Sequence, residues 1–340
     1  MTTQTRDTVG RSRAVAPPVP RPPEDPVLPS RGSQPDHRTR FTRHTPAGEV
    51  VLAYLTAQTA RLGVLDPAVR REKPDAVHQM RVTVRRLRAA LQDFTDIVSG
   101  PETRHLRAEL KWLGGVLGDA RDTEVLASHL HAGLAAVPVE LVLGPAQARV
   151  TKHFAPREAS SRKAVLEALD SERYRALRAE LGRLLDHPPL TARAAEPAGA
   201  VLPLAVGRAY RRTSRRMHRA RQARAGRQRD VALHDTRKAA KRARYAAEAS
   251  LPALGEKGGK KARRFAKRMK KVQSVLGAHQ DAVIARAAAR DIAVHAHLAG
   301  ENAFSFGLLQ DRAHHQALAC EEQAHLVWRR ARRKARWLPA

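Results

Sequence analysis

Aromatic residues make up only 4% of this 340-residue chain, and it has a single cysteine, Cys320. One cysteine excludes an intramolecular disulfide framework and a cysteine-rich zinc centre, and it suits a reducing compartment. Scarce aromatics leave few platforms on which unstacked bases could rest. β-branched runs are sparse, so extended strands have little to build on. No apolar run is long enough to span a bilayer, and no apolar leader with a cleavage site opens the chain. These absences predict a cytoplasmic protein with no membrane partner. Acid is also short: 33 Asp and Glu stand against 63 Lys and Arg, giving +30 and a pI near 11.5. Such an excess repels itself in a compact state, and here it is clustered, which points to a polyanionic partner.

Apolar residues reach 42%, dominated by Ala, Leu and Val among Arg and Glu, a mixture that favours helices. Residues 1–44 hold eight prolines and almost no apolar periodicity, so a disordered basic tail is expected there. Beyond it, Val77, Met80, Val84, Leu87, Leu91 and Phe94 recur at three- and four-residue intervals, one stripe of an amphipathic helix. Further helices are expected over about 102–117, closed by Gly118, and over 121–135, 145–155, 158–169 and 171–185. The proline-containing stretch from Pro188 to Pro197 reads as a connection. A second series is expected at 201–224, 228–251, 258–276, 280–299 and 304–336. Its matching stripe, Leu233, Thr236, Ala240, Ala243 and Ala247, is smaller and permits closer helix approach.

The two series are related. HQMRVTVRRLRAAL, from His78 to Leu91, returns as HDTRKAAKRARYAA, from His234 to Ala247, at a constant offset of 156 residues. Tyr54 and Tyr210 share that offset. Lys111 to Asp122 parallels Lys270 to Asp281 at an offset of 159, as a short loop insertion would produce. The fold expected is all-α: two related helical bundles from an internal duplication, about 45–190 and 200–338, to which the family resemblance described below adds pseudo-symmetry and a basic central channel or groove.

What repeats is a histidine followed by cations at helical spacing. On a helical wheel His78, Arg81, Arg85 and Arg88 fall within about 80° of one another and border the apolar stripe instead of opposing it. His234, Arg237, Lys241 and Arg244 take the same angles. A charge run on a helix is usually a solvated face. Two copies of a ladder set against a core edge are better explained by a bound anion, because charges beside low-dielectric walls focus potential. Arg208 to Arg229 contains no acid, Lys257 to Lys271 carries nine Lys and Arg, and Arg329 to Arg336 carries six, so the second half is the more basic.

The segments His-x-x-Arg-x-x-x-Arg-Arg-x-Arg and His-x-x-Arg-Lys-x-x-Lys-Arg-x-Arg-Tyr resemble the two hallmark helices of the CHAD family, the conserved-histidine α-helical domain. Leu117 to Asp122 and Leu276 to Asp281, each Leu-Gly-x-x-x-Asp, resemble its second signature, and the likeness extends over about 45–338. The resemblance implies binding of inorganic polyphosphate on a basic surface and channel, and association with polyphosphate granules. Residue by residue it implicates His78, Arg81, Arg85, Arg86 and Arg88, with His234, Arg237, Lys238, Lys241, Arg242 and Arg244. Lys111 and Lys270 follow from the second signature; Arg211, Arg215, Lys267 and Lys271 are added from the basic runs. Nucleic acid is the alternative partner, held by the same charge. The Glu-x-Glu-x-Lys signature of the triphosphatase domain that many relatives carry does not occur here, so hydrolysis is not implied.

Other chemistry finds little support. Gly255 to Lys261 departs from a phosphate-binding loop in spacing and lacks its Ser or Thr. His129/His131 and His295/His297 are two residues apart and cannot share a helix face, so no metal or cofactor is expected. No nucleophile is identifiable with its base, and the chain is expected not to be an enzyme. Asp122 and Asp281 are expected to offset a helix dipole or to pair with a neighbouring Arg.

Overall fold

The structure, a computed structural model, describes residues 41–333 together with Ala335 and Leu338. The expected tail lies outside the described residues except for 41–44, as do Lys334 and Arg336 of the last basic run. Among the described residues the regular structure is helical: α1 Ala47–Arg70, α2 Ala76–Asp93, α3 Pro101–Ala135, α4 Ala146–Asp170, α5 Glu172–Asp186, α6 Ala198–Gln222, α7 Arg227–Ser250, α8 Gly255–Leu298 and α9 Phe304–Arg332. Two isolated bridges, Pro46 with Pro197 and Val98 with Leu190, are the extent of β pairing there.

The stripe of α2 is buried from Met80 through Val84, Leu87 and Leu91 to Phe94, and its counterpart on α7 is buried from Leu233 to Ala247. Each packs on the helices next to it in sequence, α1 and α3 in one case, α6 and α8 in the other. Two apolar clusters result. One gathers α1, α2, the first part of α3, the far end of α4, α5 and the start of α6; the other gathers the rest of α6, α7, the first part of α8 and the end of α9. A third forms where the far ends of the α3–α4 and α8–α9 hairpins meet, through Leu130, Leu134, Phe154, Ile292 and Phe306. The halves therefore touch at two levels, through α2 and α7 and again at the hairpin tips.

Three expected helix breaks are absent. Helix α3 runs through Gly118, α4 through Pro156, and α8 through the expected break near 277–279. A glycine inside a helix costs roughly 1 kcal/mol and a proline about 3. Burial on both sides of each position outweighs that local cost: Leu113 and Leu117 precede Gly118 while Leu130 and Leu134 follow it, and Phe154 and Val165 flank Pro156. The connection at 188–197 is as expected non-α, with one 3₁₀ turn at Ala192–Ala195. There the amide of Ala47 donates to the carbonyl of Glu196 (2.9 Å) while that of Ala198 donates to Thr45 (2.8 Å). The starts of α1 and α6 are thus tied by a reciprocal exchange.

Candidate functional site

The two sequence signatures meet each other in space. Arg81, from α2, lies along α3 over Gly118 and donates through both terminal nitrogens to Asp122, at 2.8 and 3.2 Å. Gly118 and Asp122 are four residues apart and so share one helix face. The same arrangement joins α7 to α8. A Cβ on Gly277 would stand 3.3 Å from a terminal guanidinium nitrogen of Arg237, and Asp281 is the carboxylate whose charge acts on it most strongly. Burial lowers the pKa of Arg237 and Asp281 opposes that; burial likewise raises the pKa of Asp281, with Arg237, His129 and Lys241 pulling it down. Leu-Gly-x-x-x-Asp is thus the socket for the first arginine of each hallmark helix. Asp122 and Asp281 sit mid-helix instead of in a first turn, so of their two expected roles it is pairing with arginine that the fold uses.

A second polar layer joins the halves. Arg86, on α2, is 6% exposed and stands 3.4 Å from Glu248 near the end of α7. Arg242, on α7, is bonded to Asp93 at the end of α2. In each pair an earlier residue of one helix meets a later residue of the other, so α2 and α7 cross antiparallel. Arg244, 2% exposed, also lies 3.5 Å from Glu248, and both Arg86 and Arg244 approach the Tyr245 ring, at 5.6 and 4.8 Å from its centre. The Tyr54 hydroxyl is buried beside them, and burial pushes its pKa well above the ordinary tyrosine range. Asp93 collects Arg242, Arg212 at 3.6 Å and, through its carbonyl, Arg208 at 3.5 Å; burial raises its pKa against their pull.

These contacts give part of the site expected from sequence a structural role. Arg86 and Arg244 are closed off from solvent and matched by Glu248, and Arg242 is held by Asp93. Arg81 and Arg237 are seated in their sockets. The wheel shows only angle, and the partner helices that cover these angles come from distant sequence. Five of the expected ligands thus also brace the helices that carry the ladder.

A smaller group has no matching carboxylate among the described residues. Arg85 and Arg88 on α2 are half-buried, and no carboxylate bonds either among the described residues. The Nε of Arg85 is a buried donor with no acceptor. Burial lowers the pKa of Arg88, and the next causes are all cationic: Arg242, Arg85 and Arg107. Arg85 also faces Arg237 and so links the two ladders electrostatically. Arg107 was not among the sequence candidates. It lies on α3 one turn before exposed Lys111, a spacing that a search confined to the repeated histidine helices does not register.

The remaining candidates lie on α2, α6, α7 and α8. Arg215 on α6 and Lys267 and Lys271 on α8 are exposed; Lys238 is exposed and 3.4 Å from Asp235. Arg211, Lys241 and Lys270 are half-buried. His78 and His234 open their ladders, both half-buried. Burial lowers the pKa of His234, helped by Lys238 and Arg237 and opposed by a hydrogen bond with Gln280. Among the described residues no helix is long and apolar enough to cross a membrane.

Comparisons with known proteins bear on this arrangement. Two Mycobacterium tuberculosis proteins, MT2285 of strain CDC 1551 / Oshkosh and Rv2226 of a second strain, are each 35% identical to the chain over 297 residues. Those residues are 86% of this chain and 55% of theirs, so the chain spans about half the length of the curated relatives it matches. PptA from Streptomyces chartreusis superposes with a TM-score of 0.68 over 84% of this chain and 100% of its own, at 22% identity. The CHAD domain from the plant Ricinus communis gives 0.64 over 92% of this chain and 99% of its own, at 24% identity. At such identities the likeness is one of fold. The CHAD domain profile itself matches residues 53–290, and with both of its signatures found interlocked in the structure, this chain belongs to the CHAD domain family.

Proposed function

We propose that the protein binds inorganic polyphosphate on the surface formed by α2, α3, α6 and α7, and that it does so without chemical turnover. The observation that carries this reading is the pair Arg85 and Arg88. They are half-buried cations with no carboxylate partner among the described residues, set among Arg107, Arg237 and Arg242. Crowded like charges and a buried donor without an acceptor are costly, and a chain of phosphates relieves both. Arginine forks grip two phosphate oxygens at once, and exposed lysines such as Lys111, Lys267 and Lys271 add mobile point charges. The reciprocal ties between α1 and α6 and between α2 and α7 support two halves related by a local two-fold, with the anion path between them. Membership of the CHAD family supports the same partner and a place at polyphosphate granules.

Nucleic acid is the second reading, since it carries the same phosphate charge. The 4% aromatic content weighs against it, because single-strand binders gain much of their affinity by stacking bases on rings. A competition titration at matched phosphate concentration decides between them: polyphosphate should displace RNA or DNA, and the reverse order overturns the proposal. Incubation with polyphosphate and magnesium should leave chain length unchanged.

A further inference from the structure

Outside the anion surface, three helices bring together a ring and two carboxylates that the repeat does not explain. Asp230 lies in the first turn of α7, His279 midway along α8 and Glu321 on α9. The first-half position matching His279 is Ala120, so this cluster exists once and not twice. His279 is 0% exposed; among the described residues its Nδ1 has no hydrogen-bond partner and its Nε2 faces two carboxylates. Its Nε2 points between the carboxylates, 3.3 Å from Asp230 Oδ1 and 3.6 Å from Glu321 Oε1. Among the described residues this is the one cluster of His, Cys, Asp and Glu whose donor atoms all lie within 4.8 Å of one another.

We propose that Asp230, His279 and Glu321 bind a divalent first-row transition-metal ion of the zinc class. The separations of 3.3 and 3.6 Å are those of ligands that share one ion. An N–H donor normally sits about 2.9 Å from its acceptor. Ligands at ~2.0 Å from a tetrahedral ion stand ~3.3 Å from each other. One imidazole with two carboxylates is a donor set that zinc accepts, leaving a fourth position for water. The carboxylates are 13% and 14% exposed, enough to admit it.

The outer oxygens are already oriented. Arg286 donates to Asp230 Oδ2 at 3.4 Å, and Arg229 to Glu321 Oε2 at 3.2 Å. Arg229 is itself fixed by two bonds to the Ala223 carbonyl, at 3.2 and 3.0 Å. Each carboxylate thus turns its inner oxygen toward His279, as outer partners do for metal ligands elsewhere. An ion here would pin α7 one turn before His234, where the second ladder begins. The ligands stand 49 and 42 residues apart in sequence, so no short motif announces them.

The test uses the full chain, stripped with a chelator and titrated near pH 7.5 with Zn²⁺, and with Co²⁺ as a visible reporter. One ion should bind per chain with a rise in Tm, and Co²⁺ should give the absorption of a four- or five-coordinate site. His279→Gln and Glu321→Gln should each weaken binding at least about tenfold, while His297→Gln, on an exposed residue, should not. If His279→Gln does not fold, Glu321→Gln decides, since Arg229 keeps its other bonds in that variant. The proposal is overturned if the wild-type chain shows no saturable one-ion binding, or if its affinity survives in the ligand variants.

Discussion

Arg81 grips Asp122 with both terminal nitrogens of its guanidinium, binding the first hallmark helix to the second signature one helical turn beyond a glycine. The motif pair is therefore a joint between helices as well as a charge pattern. A basic protein that carries +30 must spend some arginines holding its helices in place before the rest can present themselves to an anion.

That division separates stability from binding. Replacing Arg86 by Gln leaves Glu248 with Arg244 alone in a buried layer, and breaking a buried pair costs on the order of 3 kcal/mol. Arg88→Gln removes no bonded carboxylate and relieves repulsion from Arg242, Arg85 and Arg107. Chemical denaturation should show Arg86→Gln markedly less stable than wild type, and Arg88→Gln unchanged or more stable.

The two sockets should respond differently to a methyl group. At Gly118 a Cβ would meet the Arg81 guanidinium at 3.7 Å, an ordinary contact, so Gly118→Ala should gain up to about 1 kcal/mol from helix propensity. At Gly277 the contact is 3.3 Å and Arg237 must shift, so Gly277→Ala should gain less or lose. Equal gains in the two variants would show that the close seat of Arg237 has no energetic weight.

The fold class, the connection near 188–197 and both apolar stripes were legible in sequence, because periodicity reports directly on which face is buried. The breaks assigned at Gly118, at Pro156 and near 277–279 were not, because a local residue cost was weighed without the distant packing that overrides it. The ladders were found by their repeat. What the repeat could not show is that Arg86, Arg242 and Arg244 are matched by Glu248 and Asp93 across the join between halves. Arg107 escaped because it sits on α3, outside the repeated histidine helices.

Acid should act through the histidines. His153, His234, His279 and His325 all have their pKa lowered, in each case first by burial. Below the ordinary ~6.5 the unfolded chain takes up protons that the folded chain resists, so stability falls as pH drops through 6.5 toward the depressed folded values. Bound phosphate opposes this at His234 by favouring the imidazolium. Polyphosphate affinity should therefore rise as pH falls below about 6.5, and the rise should shrink in His234→Gln. A flat profile in the wild-type chain would remove His234 from the anion site.

Affinity should also fall steeply with salt. If the polymer behaves like a single strand, each neutralised phosphate contributes about −0.7 to the slope of log K against log salt, and six contacts give about −4. Isothermal titration across salt concentrations measures this, and a slope near zero would mean that the charge is not what binds.

The most direct measurement compares polyphosphate affinity in two variants that each lose three positive charges. One replaces Arg85, Arg88 and Arg107 by Gln. The other replaces Arg264, Arg329 and Arg330, exposed cations on α8 and α9. The first should remain helical and lose at least about a hundredfold in affinity, at roughly 1 kcal/mol or more per charge-assisted contact. The second should lose less than about tenfold, the share due to net charge alone. Equal weakening of the two would contradict a preformed site at Arg85 and Arg88 and leave only general attraction to a basic protein.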